Sequence, residues 1–109
     1  MLLDAGAQVD ETDDDGITAL SWAAIANRLE MARLLVRRGA DVNHVDKKRM
    51  TPLLYAASVD FRDSDMIDLL IKSGARTART KEGLTALGLA RKYNHTHLLA
   101  SLERSAASR

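Results

Sequence analysis

No cysteine occurs in the 109 residues. That excludes disulfides, a thiol nucleophile and thiolate metal sites, and it fits a reducing compartment. Aromatics are scarce, at 4%, so the 46% hydrophobic content rests on Ala and Leu. Side chains of that size favour closely packed helices with little room for a large cavity. No apolar run approaches the roughly 20 residues that span a bilayer. No basic stretch followed by a long apolar one opens the chain. A cytoplasmic protein with no membrane segment is therefore expected. Catalytic signals are missing as well: no Gly-rich phosphate loop, no Ser-His-Asp order and no spaced acid pair in an apolar setting. The chain is expected to be non-catalytic and to hold no cofactor.

Metal sites fare no better. His44, His95 and His97 are the only histidines, and the last two, two residues apart, do not share a helix face. The run from Glu11 to Gly16 begins like a calcium loop, with glycine sixth. Its twelfth residue, where a bidentate acid is required, is Trp22.

A net charge of +1 hides an asymmetry. Residues 1–46 hold nine acids and four bases; residues 47–109 hold six acids and twelve bases. Such a dipole either orients a charged partner or is ordinary solvated surface.

What is present is a repeated joint. Leu34-Leu35-Val36-Arg37-Arg38-Gly39-Ala40-Asp41-Val42-Asn43 is an apolar helix end, a glycine stop and a polar turn. The same grammar occurs at Leu2-Leu3-Asp4-Ala5-Gly6-Ala7 and at Leu69-Leu70-Ile71-Lys72-Ser73-Gly74-Ala75. Gly6 to Gly39 is 33 residues and Gly39 to Gly74 is 35, a period that marks stacked helix-pair repeats.

Between the joints the pattern predicts helix pairs. Asp13 to Gly16 is turn chemistry, and Thr18 stands where an N-cap oxygen belongs. Helices are expected over 19–26 and 29–38, then over 52–59 behind Thr51-Pro52 and over 64–73, then over 86–93 behind Thr85 and over 96–103. The small polar tail, 104–109, is expected to fray. Trp22 is expected to pack against a neighbour.

The repeats resemble the ankyrin repeat. The first full unit offers Asp13, Gly16, Thr18-Ala19-Leu20-Ser21, Ala23-Ala24, Asn27-Arg28, Leu34-Leu35 and Gly39-Ala40-Asp41-Val42-Asn43. The second offers Asp46, Thr51-Pro52-Leu53-Leu54, Ala56-Ala57, Leu69-Leu70 and Gly74-Ala75. The third offers Gly83, Thr85-Ala86-Leu87-Gly88, Ala90, Asn94-His95 and Leu98-Leu99. The resemblance implies an all-α solenoid of stacked helix-turn-helix units with outward hairpin turns. Its divisions would be a partial repeat at 1–12, repeats at 13–45 and 46–79, a capping repeat at 80–103 and a tail at 104–109, the second repeat lengthened by two residues between its helices. Two departures stand out. The motif's histidine is Ser21, Leu54 and Gly88 in the three units, so its loop ties are absent. Arg49 replaces the turn glycine of the second unit, so that turn is either relaxed or holds arginine at a costly positive φ.

For function the resemblance implies a non-catalytic protein-interaction module that meets another protein on turn tips and first helices. By repeat position the candidate contacts are Asp14, Asp15 and Ile17, then Lys47, Lys48 and Met50, then Lys81, Leu84, Lys92 and Tyr93. Ile17, Met50 and Leu84 either line up exposed as a contact strip or tuck between neighbouring turns. Two alternatives compete. One is nucleic-acid binding through Lys47, Lys48, Arg49, Lys81, Arg91 and Lys92, against which stand the acidic first half and the lack of interleaved aromatics. The other is self-association through an uncapped face carrying Leu2 and Leu3.

Overall fold

The computed structural model describes residues 9–59 and 63–107. The joint at Leu2 and Leu3, Phe61 and the last two residues lie outside that range. Six helices follow in order: α1 (Ala19–Ala26), α2 (Leu29–Arg37), α3 (Pro52–Ser58), α4 (Asp65–Lys72), α5 (Ala86–Lys92) and α6 (Thr96–Ala107). The first helix of each pair starts on a threonine. Thr18, Thr51 and Thr85 are extended and turn Oγ1 back to accept from the N–H of Ser21, Leu54 and Gly88, at 3.3, 3.3 and 3.1 Å. Each cap satisfies a donor that the helix itself cannot. Pro52 adds a preset φ at the first helical position.

The helices form two layers. α1, α3 and α5 pack in a row, α2, α4 and α6 pack behind them, and each pair closes on itself. Ala23, Ala24, Ala56, Ala57 and Ala90 are buried along the inner row, where short side chains let backbones approach. Leu20, Leu35, Leu54, Met66, Ile67, Leu70 and Leu98 fill the space between layers. Short helices of seven to nine residues are marginal alone, so this shared burial is what holds them.

Each joint ends in the same way. Gly39 takes φ +89, which only glycine enters without penalty. The next N–H, of Ala40, then returns to the carbonyl of Leu35 at 3.0 Å, and Ala75 does the same to Leu70 at 2.9 Å. Beyond the glycine, side chains stitch one joint to the next. Asp10 Oδ1 accepts the Asp41 N–H at 2.8 Å. Asn43, 33 residues on, accepts the Arg76 N–H at 2.7 Å and donates to the Gly74 carbonyl at 3.1 Å.

Two expectations need correction. α6 runs on to Ala107, so 104–107 are helical rather than frayed. The sequence there ends in Ser-Ala-Ala, and alanine is the best helix former. The Leu pair assigned to the third unit is also out of register. Asn27 and Asn94 both take left-handed φ, +55 and +59, and are equivalent points. Counting from them, Leu102 takes the place of Leu35 and Leu98 that of Met31. The fully buried Leu98 and the buried Leu102 accord with this, while Leu99 is only half-buried.

Candidate partner-binding surface

Three tips project between the joints and the caps, and all are closed alike. At the first, Asp13 Oδ1 accepts from the N–H groups of Asp15 (2.9 Å) and Ile17 (3.0 Å). Its backbone exchanges N–H to Ile17 and carbonyl to Gly16, at 3.1 and 2.9 Å. At the second, Asp46 Oδ1 accepts from Lys48 (2.8 Å) and Met50 (2.9 Å), with the same backbone pair to Met50 and Arg49 at 3.0 Å each. At the third, Thr80 Oγ1 holds the Leu84 N–H at 3.2 Å.

The free carboxylate oxygen of each aspartate is taken from nine residues on. Trp22 Nε1–H donates to Asp13 Oδ2 at 3.0 Å, and the Tyr55 hydroxyl donates to Asp46 Oδ2. In the third unit the same two places hold Thr80 and Leu89, so the bond is lost from both ends together. Burial, then the hydrogen bond and charge of Asp46, push the Tyr55 phenol well above its usual range, so it stays a protonated donor. Asp13 shifts the other way. The Ile17 N–H lowers it most, burial opposes, and Trp22, Asp15 and Lys47 add to the lowering. A depressed carboxyl contributes stability above the ordinary carboxylate range and loses it as pH falls through the folded value. The Tm gap between the parent and Asp13→Asn is expected to be open at neutral pH and to close in acid. A gap that persists unchanged into acid would detach the shift from the fold.

Trp22 does not pack into a neighbour as expected. It is 49% exposed, with its indole N–H tied to the tip. It shares a shallow hollow of about 330 Å³ with Ala19, Ala26 and Met31. The equivalent residues Leu89, Met66 and Leu98 are buried because a preceding helix pair covers them. The apolar members of the tips tuck inward. Ile17 is 6% exposed, and Met50 and Leu84 are half-buried against the core. Ile17 thus offers no exposed contact: its N–H is drawn to Asp13, which turns the side chain under the tip.

The charged candidates stay outside. Asp14, Asp15, Lys47, Lys48 and Lys81 are all exposed. Lys47 is engaged within the chain: Nζ donates to the Asp14 carbonyl at 2.6 Å and its N–H to the Asp15 carbonyl at 3.1 Å. With His44 Nε2–H donating to the Gly16 carbonyl at 2.7 Å, these bonds fix the second tip against the first. Lys92 and Tyr93 are exposed too, but they close the far end of α5. A seven-residue helix places them about 10 Å from the Thr85 cap. There Lys92 Nζ stands 5.4 Å from the Tyr93 ring centre, and His95 lies 5.9 Å from it, ring to ring. The candidates therefore form two groups, a row of tips and a patch at the end of α5. His95 itself is buried, with Nδ1–H donating to the Ala57 carbonyl at 3.0 Å, a bond between helix pairs.

Arg49 was legible as an anomaly, and the structure resolves it: its φ is +64 where Gly16 and Gly83 have +77 and +87. The turn has not relaxed, because the Asp46 bonds hold it. The left-handed region costs a non-glycine residue roughly 1 kcal/mol or more, partly offset by the extra chain entropy that glycine loses. Arg49→Gly is expected to stabilise the fold by about 0.5–1 kcal/mol in urea denaturation. No gain would mean that the turn carries no strain.

Among the described residues no group of three or more His, Asp or Glu side chains is placed to hold a metal. No helix there is long and apolar enough to cross a membrane. The cleft between α3 and α5, lined by Thr51, Leu54, Ala78 and Leu87 among others, measures about 100 Å³. Small-molecule sites usually offer about 300–1,000 Å³.

Capped helix pairs stacked in two layers, joined by glycine stops and bearing a row of hairpin tips, define a solenoid repeat protein. The chain belongs to the ankyrin-repeat family: a model of ankyrin repeats in three copies matches residues 1–77. Beyond that match, α5 and α6 carry the same cap, tip and left-handed asparagine. The chain is 34% identical to inversin of Gallus gallus over 94 residues, 85% of its own length and 8% of that protein. It is 35% identical to ankyrin repeat domain-containing protein 63 of Mus musculus over 100 residues, 87% of its length and 25% of that protein. It is 39% identical to neurogenic locus notch homolog protein 4 of Homo sapiens over 90 residues, 82% of its length and 4% of that protein. The chain thus spans a quarter or less of these relatives. Ankyrin-repeat domains are non-catalytic and generally act as scaffolds for protein–protein interaction.

Proposed function

We propose that this chain binds a protein partner across its row of turn tips, with the Tyr93 patch as a second contact. One observation carries the reading. Positions that repeat are buried or hydrogen-bonded, while the positions that differ from tip to tip, Asp14, Asp15, Lys48 and Lys81, are exposed and charged. A surface held rigid by stitched joints loses little entropy on binding. The reading predicts that joint Lys48→Ala and Lys81→Ala lowers affinity for a captured partner about tenfold, the scale of one or two good contacts. Glu30→Ala with Arg33→Ala, an exposed pair on α2, should leave it unchanged. The reverse dependence, measured by calorimetry, would move the contact to the outer helices.

A further inference from the structure

Lys48, Arg49 and Lys81 are exposed cations whose side chains make no hydrogen bond or ion pair among the described residues. Lys47 and Arg79 differ, being tied to the Asp14 and Gly83 carbonyls. Arg49 is the informative member. It occupies a glycine position at positive φ, so the fold is strained by its presence and its side chain returns no hydrogen bond or ion pair among the described residues. A charged side chain held at such a place without a partner among the described residues is available to a ligand outside the molecule. The neighbouring first tip has the opposite sign, with Asp14 and Asp15 exposed. It is fixed beside the second tip by the Lys47 and His44 bonds.

On the reading that the tips are the binding edge, the geometry points to a ligand of segregated charge. It would be an extended protein segment whose acids lie over the second tip and reach Lys81 on the third, where the exposed Glu82 leaves the charge mixed, and whose basic residues meet the first. Stacked helices stand about 8–10 Å apart, and an extended chain advances about 3.3 Å per residue. Acids three residues apart therefore reach successive tips. Arg49 sets the preference, through a planar guanidinium that can take a carboxylate with two hydrogen bonds. A nucleic acid fits worse. Its phosphates continue in one sign and would run against Asp14 and Asp15; the exposed Trp22 stands beside that acidic first tip with its indole committed to Asp13, and no exposed aromatic stands at the basic second tip to stack a base.

Fluorescence anisotropy at low salt tests this with three labelled 12-residue probes: an acidic-then-basic block peptide, an all-Glu peptide and a single-stranded DNA 12-mer. The block peptide should bind most tightly. Arg49→Gly should weaken it about three- to tenfold, the worth of one exposed charged contact, while raising Tm. Opposite signs for binding and stability are the signature, since a general loss of structure would lower both. Asp15→Lys should shift the preference towards the all-Glu peptide. Equal or tighter binding of the DNA overturns the proposal, as does block-peptide affinity that Arg49→Gly leaves unchanged. If a captured partner still depends on Lys48 and Lys81 in that case, the tip surface stands and only the segregated ligand fails. If the partner depends on Glu30 and Arg33, both fail.

Discussion

Asp46→Ala is expected to cost about 2–3 kcal/mol, because one buried carboxylate serves three donors and its loss strands them. The Lys48 and Met50 N–H groups and the Tyr55 hydroxyl all end on it, and it is 6% exposed. The Lys48 donor can turn to water, which keeps the loss below the sum of three bonds. In a domain of this size the change lowers Tm by roughly 10 °C or more. Tyr55→Phe removes one donor and should cost about 1 kcal/mol. The two residues at the second tip are also coupled. Without Asp46 the turn can open and Arg49 leaves the left-handed region, which returns part of the loss. In an Arg49→Gly background that relief is gone, so Asp46→Ala should cost more there. Strict additivity in urea denaturation would show that the carboxylate does not hold Arg49 in place. At the first tip Asp13 is exposed, water can replace it, and Asp13→Ala should cost less.

Ala57→Leu is expected to cost about 3 kcal/mol by overpacking. Ala57 is fully buried, and its carbonyl receives the His95 ring from the third pair. Three added carbons have no space there without pushing α5 and α6 away. The equivalent position on α5 is Arg91, exposed and paired to Glu103 at 3.2 Å, so Arg91→Leu should change stability by only about 0.5 kcal/mol. The mode of unfolding should change as well. Units that touch only their neighbours separate once an interface is weakened. Trp22 is the only tryptophan and reports on the first pair, whereas circular dichroism reports on all helices. The two transitions should coincide in the parent and separate in Ala57→Leu, with helix loss first. Coincident transitions in the variant would show that the third pair is not released separately.

The joints and caps were legible because they obey local rules. A threonine before an apolar run and a glycine after one mean the same wherever they occur, so the starts of α1, α3 and α5 follow from three residues. Register in the third pair was not legible, because Leu98-Leu99 imitates the Leu34-Leu35 pair and only burial shows which turn faces the core. Trp22 was misplaced for a related reason. Large aromatics are usually buried, but here the side chain is half exposed and its indole serves Asp13 instead. The spacing of nine residues from Asp13 to Trp22 and from Asp46 to Tyr55 was a readable signal. So was the arginine at the glycine position, although its φ could only be known from the turn. The charged tips were legible, but their division from the Tyr93 patch depends on the length of α5.

Asn43 belongs by peptide bonds to the first joint and by hydrogen bonds to the second, at Arg76 and Gly74. The covalent module and the folding module therefore have different edges. A helix pair transplanted between its own sequence boundaries leaves behind the amide that seats its next joint, and brings one cut for a neighbour it no longer has. Exchange of whole pairs preserves the stitching only where the preceding segment supplies Asp or Asn at that place. This ties an apparently free-standing repeat to the identity of one residue in the repeat before it.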